Sequence, residues 1–257
     1  MKYIFELETY SQKIKTMQFE PLVITANMVS GTHITNYMPI YLDNLIARMV
    51  VEEAIKTPFP DQSIDGYWLP VPMDVAGYYQ QYPLWNASVF FVVDESASDI
   101  VYLHKRSLSG QLSKPRNIST AVGRWMERRI PIPTMICNEL QARCIGNQEE
   151  IQRLLENVHF IGKHHNRGFG EVKNWTIEKG TFETALVSDS QLTHAIPVES
   201  CMDVCNSIIT RQSELVGWTP PEWKMALFSL GWPVGTRINE QKVDYWEEAE
   251  KLSGLEN

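Results

Sequence analysis

The feature that most constrains the fold is a glycine-rich loop, residues 162–170, between a predicted helix and a predicted strand. Asn147 is a suitable helix N-cap, and Glu149 and Glu150 suit a first helical turn. Apolar residues then recur at helical spacing, at Ile151, Leu154, Leu155 and Val158. After the loop, residues 172–178 alternate between apolar and polar with the period of a strand. The predicted order is therefore helix, loop, strand.

The composition of this loop favours contact with a polyanion. Its glycines, Gly162, Gly168 and Gly170, permit positive φ and close approach of the backbone to a ligand. Successive backbone N–H groups in such a loop can form an anion-binding nest. Lys163 and Arg167 add positive charge, and a guanidinium can stack on a base or bind a phosphate through two hydrogen bonds.

Four further loop residues are candidates for the same contact. Phe169 could stack on a base or anchor the loop in the core, and Asn166 could cap the turn. His164 and His165 offer titratable hydrogen bonds to phosphate. A glycine-rich turn with solvated charges is the alternative interpretation.

The order of elements argues against a nucleotide-hydrolysis loop. Such loops lead from a strand into a helix and carry a Lys followed by Ser or Thr. Here the loop leads from a helix into a strand, and Lys163 is followed by His164. The dinucleotide-binding fingerprint is excluded for the same topological reason.

The charge distribution also favours nucleic acid in this part of an acidic chain, whose net charge is −8. Residues 104–180 carry 13 Lys or Arg and 7 Asp or Glu, whereas the remaining residues carry 10 and 24. A local basic surface is what polyanion binding requires, although a solvated basic face is the alternative. The candidate cations before the loop are Lys105, Arg106, Lys114, Arg116, Arg124, Arg128 and Arg129.

The bulk properties indicate a cytoplasmic protein without a membrane segment. The 257 residues suit one large domain with an elaboration, and 44% of them are hydrophobic. No run approaches the roughly 20 apolar residues of a membrane helix, and the first 20 residues lack the apolar core of a secretory signal. The low number of cysteines fits a reducing compartment.

A zinc site is an alternative that the spacing disfavours, because its candidate ligands lack paired Cys-x-x-Cys spacing. The candidate sets are Cys201 and Cys205 with His194, or Cys137 with Cys144.

Outside the loop, the sequence predicts a mixed α/β chain. Residues 21–29 are typical of a strand, the following segment through His33 of a loop, and residues 38–56 of an amphipathic helix. Residues 57–86 are predicted to be irregular. The remaining predictions are a strand pair formed by 87–93 and 100–104 across a turn at 94–99, a mobile basic loop at 107–133 interrupted by prolines, and a strand with a polar break at 135–145.

The stretch from Arg143 to Val172 resembles the C-terminal signature of the RAMP superfamily of CRISPR-associated proteins. The shared pattern is Arg-Cys-Ile-Gly, an acidic amphipathic helix, and then Ile161-Gly-Lys-x-x-Asn-x-Gly-Phe-Gly-x-Val172. Within that superfamily, three shorter matches resemble the Cas-five-type subunit of type IV effector complexes. They are residues 39–45, the Tyr102-x-x-Lys105-Arg106 strand end and the Pro220-Pro221-Glu222-Trp223 turn.

The resemblance implies an α+β fold of the ferredoxin-like or RRM type (βαββαβ), with insertions and a C-terminal extension. The implied domain spans residues 21–180, with an excursion at 57–86 and a basic mobile loop at 107–133. Residues 1–20 would form an N-terminal extension, and residues 181–257 an acidic elaboration packed on the domain.

The resemblance also implies a role in a class 1 CRISPR effector complex of a prokaryotic cytoplasm. Such a subunit caps the five-prime handle of the guide RNA (crRNA) and contacts a Cas-seven-type backbone subunit and the large subunit. Base pairing of the guide then selects the target DNA. Residues 162–170 would lie against the handle backbone, and neither a catalytic residue nor a cofactor is implied.

Two other function classes are compatible with the sequence. A RAMP guide-processing endoribonuclease of the Cas-six type would use a histidine near the first helix as general base, and His33 is the candidate, with Tyr37 as the nearest possible second group. A protein-only interaction module could use exposed aromatics as interface anchors. Its candidate anchors are Tyr67, Trp68, Tyr78, Tyr79, Tyr82, Trp85, Trp218 and Trp223.

Overall fold

The computed structural model describes residues 2–29, 33–35, 39–55, 69–105, 126–200, 213–221 and 225–238. Within these ranges the helices are α1 (Lys2–Ile14), α2 (Leu42–Ile55) and α3 (Gln148–Leu155). The first seven strands are β1 (Glu20–Met28), β2 (His33–Thr35), β3 (Val75–Tyr79), β4 (Tyr82–Trp85), β5 (Phe91–Val92), β6 (Glu95–Lys105) and β7 (Arg128–Cys137). The later strands are β8 (Glu139–Gly146), β9 (Val172–Lys179), β10 (Val187–Ser188), β11 (Gln191–Leu192), β12 (Ile196–Pro197), β13 (Glu214–Gly217) and β14 (Phe228–Trp232).

The main sheet has the strand order β5-β8-β1-β9, and its neighbours are antiparallel. Every second residue of β1 is buried, at Leu22, Ile24, Ala26 and Met28, as expected when one face of a strand lies on the core. The helices cover this face: Leu7 of α1, Ile46 of α2 and Leu154 of α3 are fully buried in one cluster with the β1 residues. The predicted strand at 21–29 and helix at 38–56 are thus confirmed, with the helix beginning at Leu42.

A second antiparallel sheet has the order β2-β7-β6 and corrects two predictions. Residues 94–99 are not a turn between two paired strands, because β6 begins at Glu95 and pairs with β7. Phe91 instead pairs with Gln141 of β8. Apolar content identified these segments as extended, but pairing partners so distant in sequence depend on the tertiary fold.

The predicted basic loop at 107–133 is wrong at its C-terminal end, where Arg128 to Pro133 belong to β7. Pro131 pairs with Tyr102 and Pro133 with Ile100, so the prolines do not interrupt the strand. On the other side of β7, β2 pairs only with Thr134 to Ile136 among the described residues. On that side, Pro131 and Pro133 therefore have no paired strand within the described ranges. A strand tolerates proline where no neighbour needs its N–H. Residues 106–125 lie outside the described part of the chain.

The predicted strand at 135–145 is two strands in different sheets, β7 and β8, separated at Asn138. The polar break predicted there is therefore the point where the chain changes sheets. The Asn138 carbonyl accepts a hydrogen bond of 2.8 Å from Met28 N at the end of β1, which holds the crossing point against the main sheet.

The C-terminal region builds a second hydrophobic cluster from small sheets. Strands β12, β14 and β13 form a three-stranded sheet, β10 pairs with β11, and β3 pairs with β4. The excursion predicted to be irregular at 57–86 therefore includes a hairpin, and its residues 56–68 lie outside the described ranges. The buried members of the cluster are Leu84, Leu186, Leu192, Ala195, Ile196, Val216, Trp218 and Ile238. No helix in the described ranges is long and apolar enough to cross a membrane.

Candidate functional site

Helix α3 presents the glycine-rich loop, and its start is defined as the sequence predicts. The Asn147 side chain accepts a hydrogen bond of 3.0 Å from Glu150 N, which caps the helix. Ile151, Leu154 and Leu155 are fully buried. Trp175 of β9 donates from its indole Nε1 to the carbonyl of Val158 at 2.9 Å, so the segment before the loop is tied to the strand after it.

A buried carboxylate holds α3 against the other helices. Glu150 accepts hydrogen bonds from Tyr10 at 2.9 Å, Lys13 at 3.1 Å and Arg153 at 2.8 Å. Arg153 also binds Glu53 of α2 through two hydrogen bonds of 2.8 and 2.9 Å. Burial acts to raise the pKa of Glu150, but the three hydrogen bonds outweigh it and hold that pKa at about 2. Glu150 is therefore a structural anion, a role that its predicted place in the first helical turn did not indicate.

The base of the loop is a closed backbone turn. Ile161 N donates to the carbonyl of Gly170 at 2.8 Å, and Gly170 N donates to the carbonyl of His33 at 2.9 Å. Gly170 has φ of 69°, and a Cβ at this position would collide with the Ile161 carbonyl oxygen. This position thus requires glycine for both conformation and space.

The backbone N–H groups of the second half of the loop are used within the protein. Arg167 N donates to His164 O at 2.8 Å, and Gly168 N donates to His165 O at 2.9 Å, within the 3-10 turn His165–Arg167. Phe169 N lies 3.4 Å from the same His164 carbonyl. These groups and Gly170 N are not available as an anion nest, which corrects that expectation for this part of the loop. Positive charge must come from the side chains.

The loop side chains divide into an exposed rim and a buried anchor. Lys163, His165, Asn166 and Arg167 are exposed, together with the backbone of Gly162 and Gly168, whereas His164 is half-buried. Phe169 is buried, with 7% of its surface exposed. Of the two roles predicted for Phe169, burial favours the anchor over stacking on a base. The exposed rim offers a ligand two cations, an imidazole and an amide. The hydrogen-bonded turn at the base of the loop holds the backbone that carries them.

His33 lies against the loop, a proximity that the sequence did not indicate. It occupies strand β2, where it pairs with Ile136, and not the predicted loop. Its ring centroid is 5.7 Å from that of Phe169, and the His164 ring contacts Phe169 edge-on at 5.9 Å. The two histidines thus flank one buried aromatic ring. Tyr37, the other residue of the nuclease hypothesis, lies outside the described residues.

The basic residues of the β6–β7 ribbon form a second region apart from the loop. Lys105 pairs with Arg128, and Arg129 lies beside them with its guanidinium 3.8 Å from the centre of the Tyr102 ring. Ile136, the partner of His33, is eight residues along β7 from Arg128. At about 3.3 Å per residue, Arg128 lies roughly 26 Å along β7 from the position that pairs with His33. The other candidate cations, Arg106, Lys114, Arg116 and Arg124, lie outside the described residues.

The residues proposed for a zinc site have other roles where the structure describes them. His194 is fully buried, with Nε2 3.3 Å from Oδ2 of the equally buried Asp43. Cys137 and Cys144 are buried and form no disulfide, and burial raises the pKa of Cys144, which disfavours a thiolate ligand. Cys201 and Cys205 lie outside the described residues. Across the ranges that the structure describes, no group of three or more potential metal ligands comes together.

The aromatic residues of the interaction-module hypothesis are mostly packed inside the protein. Trp85 and Trp218 are buried, and Tyr79 contacts Trp218 edge-on at 5.6 Å between centroids. Among the candidates that the structure describes, Tyr78 is exposed over 68% of its surface, and Tyr82 is partly buried. Tyr67, Trp68 and Trp223 lie outside the described residues.

Comparison with known proteins gives one family match. No curated protein matches the chain significantly. The match to a family model spans residues 85–186, which include β5 to β9, α3 and the complete glycine-rich loop. The matching family is described as the CRISPR type IV associated protein Csf3, and this similarity confirms the resemblance to type IV CRISPR-associated proteins that the sequence predicted.

Proposed function

We propose that this protein is a non-catalytic crRNA-binding subunit of a class 1, type IV-like CRISPR effector complex. In this role it caps the five-prime handle of the guide RNA and contacts a Cas-seven-type backbone subunit and the large subunit. The complex then finds its DNA target by base pairing of the guide. The observation that carries the proposal is the exposed cationic rim of residues 162–170, held on a hydrogen-bonded turn within the segment similar to the type IV family.

The strand order supports a ferredoxin-like core for this subunit. After α1, the strands of the main sheet and the other two helices that cover it run in chain order β1, α2, β5, β8, α3, β9, which is a β-α-β-β-α-β sequence. In the sheet the first and third of these strands are central and adjacent, and the second and fourth lie at the edges. The glycine-rich loop connects the last helix to the last strand of this unit, the position that the RAMP resemblance implies.

The rim has the chemistry of a backbone-binding surface. Lys163 and Arg167 are exposed and lie six and two positions before the buried anchor Phe169, so their charge faces solvent while Phe169 is packed inside the protein. A guide handle is a single-stranded polyanion, and ordered cations release its counterions on binding. The second basic region, at the far end of the β6–β7 ribbon from the pairing position of His33, supports a footprint that extends beyond the loop.

The test is salt-dependent binding of a synthetic five-prime handle RNA by the full-length protein. The double variant Lys163→Ala, Arg167→Ala should weaken binding by about an order of magnitude at moderate salt and reduce the slope of log K against log salt by about 1.4. The matched control is Lys15→Ala, Arg237→Ala, which removes the same charge from exposed positions outside the loop. If both double variants bind like the wild type, the loop assignment is wrong.

The same preparation tests the absence of catalysis. The His33 ring has its Nδ1 3.0 Å from the hydroxyl oxygen of Thr134 and lies against Phe169. Neither of these two residues is a group that would stabilise the charge that develops in general acid–base cleavage. Incubation with CRISPR repeat RNA in the absence of metal should give no product. A discrete cut that disappears in His33→Ala would overturn the non-catalytic proposal.

A further inference from the structure

Beside the loop, a chain of hydrogen bonds orients the imidazole of His33. Its Nδ1 lies 3.0 Å from Thr134 Oγ1, and Thr134 Oγ1 lies 3.2 Å from the carbonyl oxygen of Asp99. Thr134 is fully buried, and its hydroxyl has one proton to donate. A carbonyl can only accept, so the Thr134 hydroxyl donates to Asp99 and accepts from the N–H at His33 Nδ1.

This arrangement selects one tautomer of the neutral ring. With the proton on Nδ1, the Nε2 atom of His33 carries a lone pair and acts as an acceptor. Among the described residues Nε2 has no hydrogen-bond partner. A phosphodiester has no donor to offer this atom, whereas a hydroxyl or an amino group has one. The tautomer therefore suits a sugar or base group and not the phosphate itself.

Both the backbone and the ring of His33 contact the loop that carries the proposed RNA path. The His33 carbonyl accepts from Gly170 N, and its half-buried ring lies against Phe169. Lys163 and Arg167 are exposed in the same loop. A nucleotide whose phosphate binds those cations carries its ribose directly beside the phosphate, and His33 contacts the same loop through Gly170 and Phe169.

We propose that His33 Nε2 accepts a hydrogen bond from a ribose 2′-hydroxyl of the bound RNA, so that His33 selects RNA over DNA at the loop. The inference rests on the proposed function, since it assumes RNA at the loop. The 2′-hydroxyl is the donor by which proteins distinguish RNA from DNA at a given site. Loop cations and glycines make no such distinction, because the phosphates of both polymers are alike.

The experiment compares binding of the handle RNA with binding of its all-2′-deoxy version, which keeps the same bases, at one salt concentration. His33→Asn retains a donor near Nδ1 for Thr134 but has no acceptor at the position of Nε2. Its preference for RNA should fall roughly two- to tenfold, the value of one neutral hydrogen bond. Affinity for the deoxy oligonucleotide should not change. His159→Asn, an exposed histidine outside the loop, should keep the full preference.

Two further measurements separate recognition from a folding defect. In the first, 2′-deoxy substitutions are made one at a time along the handle RNA. At one ribose, the substitution should weaken binding by the wild-type protein but not by His33→Asn. In the second, Thr134→Ser should keep the preference for RNA over the deoxy oligonucleotide, because serine retains the hydroxyl. Thr134→Val, which lacks the hydroxyl, should reduce that preference.

The possible failures are distinguishable. If the wild type binds handle RNA tightly but His33→Asn keeps the full preference for RNA, the inference about His33 is wrong and the proposed function stands. Equal weakening of RNA and deoxy binding by His33→Asn also overturns it, because the residue would then act through the loop backbone. If the wild type does not bind handle RNA, both proposals fail.

Discussion

The hydroxyl of Tyr10 in α1 donates a hydrogen bond of 2.9 Å to the carboxylate of Glu150 in α3, across 140 positions of the chain. The N-terminal helix is therefore held to the helix that presents the glycine-rich loop. Lys13 and Arg153 complete the shell around this carboxylate, and Arg153 extends it to Glu53 of α2. Removal of the charge at Glu150 should loosen all three helices together.

Glu150→Gln should lower the free energy of unfolding at pH 7 by about 2 kcal/mol, because hydrogen bonds from charged groups to a buried carboxylate are lost. Urea denaturation measures the change, provided that the unfolding free energy of both proteins depends on urea concentration with the same slope. Glu149→Gln is the control, since Glu149 is the exposed neighbour in the same helical turn. Equal destabilisation by both variants would mean that the effect comes from the helix dipole and not from the network.

The effect of Glu150→Gln should depend on pH. Burial acts to raise the pKa of Glu150 but the surrounding donors lower it to about 2, below the value of ~4.3 for an unstructured glutamate. The carboxylate thus stabilises the folded state above about pH 4.3, and this stabilisation is lost as pH falls toward 2. The difference in unfolding free energy between wild type and Glu150→Gln should shrink between pH 5 and pH 3 in urea titrations. A difference that is constant over this range would contradict the assignment.

Two glycines of the loop should respond differently to alanine. Gly168 and Gly170 both have positive φ, at 80° and 69°, but a Cβ on Gly168 meets nothing within 4 Å, whereas one on Gly170 collides with the Ile161 carbonyl. Gly168→Ala should cost about 1 kcal/mol of stability from the backbone conformation alone. Gly170→Ala should cost more than about 3 kcal/mol, because the turn must also open. Thermal unfolding of the two variants checks the order, and equal costs would show that the closed turn is wrong.

Phe169→Leu should leave affinity for handle RNA within about twofold of the wild type, since the side chain anchors the loop and leucine can fill much of its site. A base stacked on Phe169 would instead contribute roughly 1–3 kcal/mol, and its loss would weaken binding about tenfold or more. Phe169→Ala should destabilise the fold by about 3–5 kcal/mol. Anisotropy titrations at fixed salt, with unfolding curves on the same samples, separate the two roles.

Local sequence patterns were sufficient to predict those elements whose structure depends on residues close together in the sequence. The stripe of Ile151, Leu154 and Leu155 predicted α3, and Asn147 predicted its start, because helix formation and capping join residues three or four positions apart. The strand at 21–29 and the order of helix, loop and strand were recognised for the same reason. Strands were predicted at 87–93 and 100–104, and β5 and β6 cover parts of these ranges. Their predicted pairing with each other was wrong, because β6 pairs with β7 and β5 pairs with β8.

The sequence by itself determined the glycine-rich loop, its charge and its similarity to CRISPR-associated proteins, since glycine spacing and cation content are local properties of the chain. Only the tertiary structure decided that Phe169 anchors the loop and that His33 lies beside it. It also decided that Arg128 and Arg129 are held in a paired ribbon of β6 and β7. These relationships join residues far apart in the chain, and they follow from sheet register and packing, which no local pattern encodes.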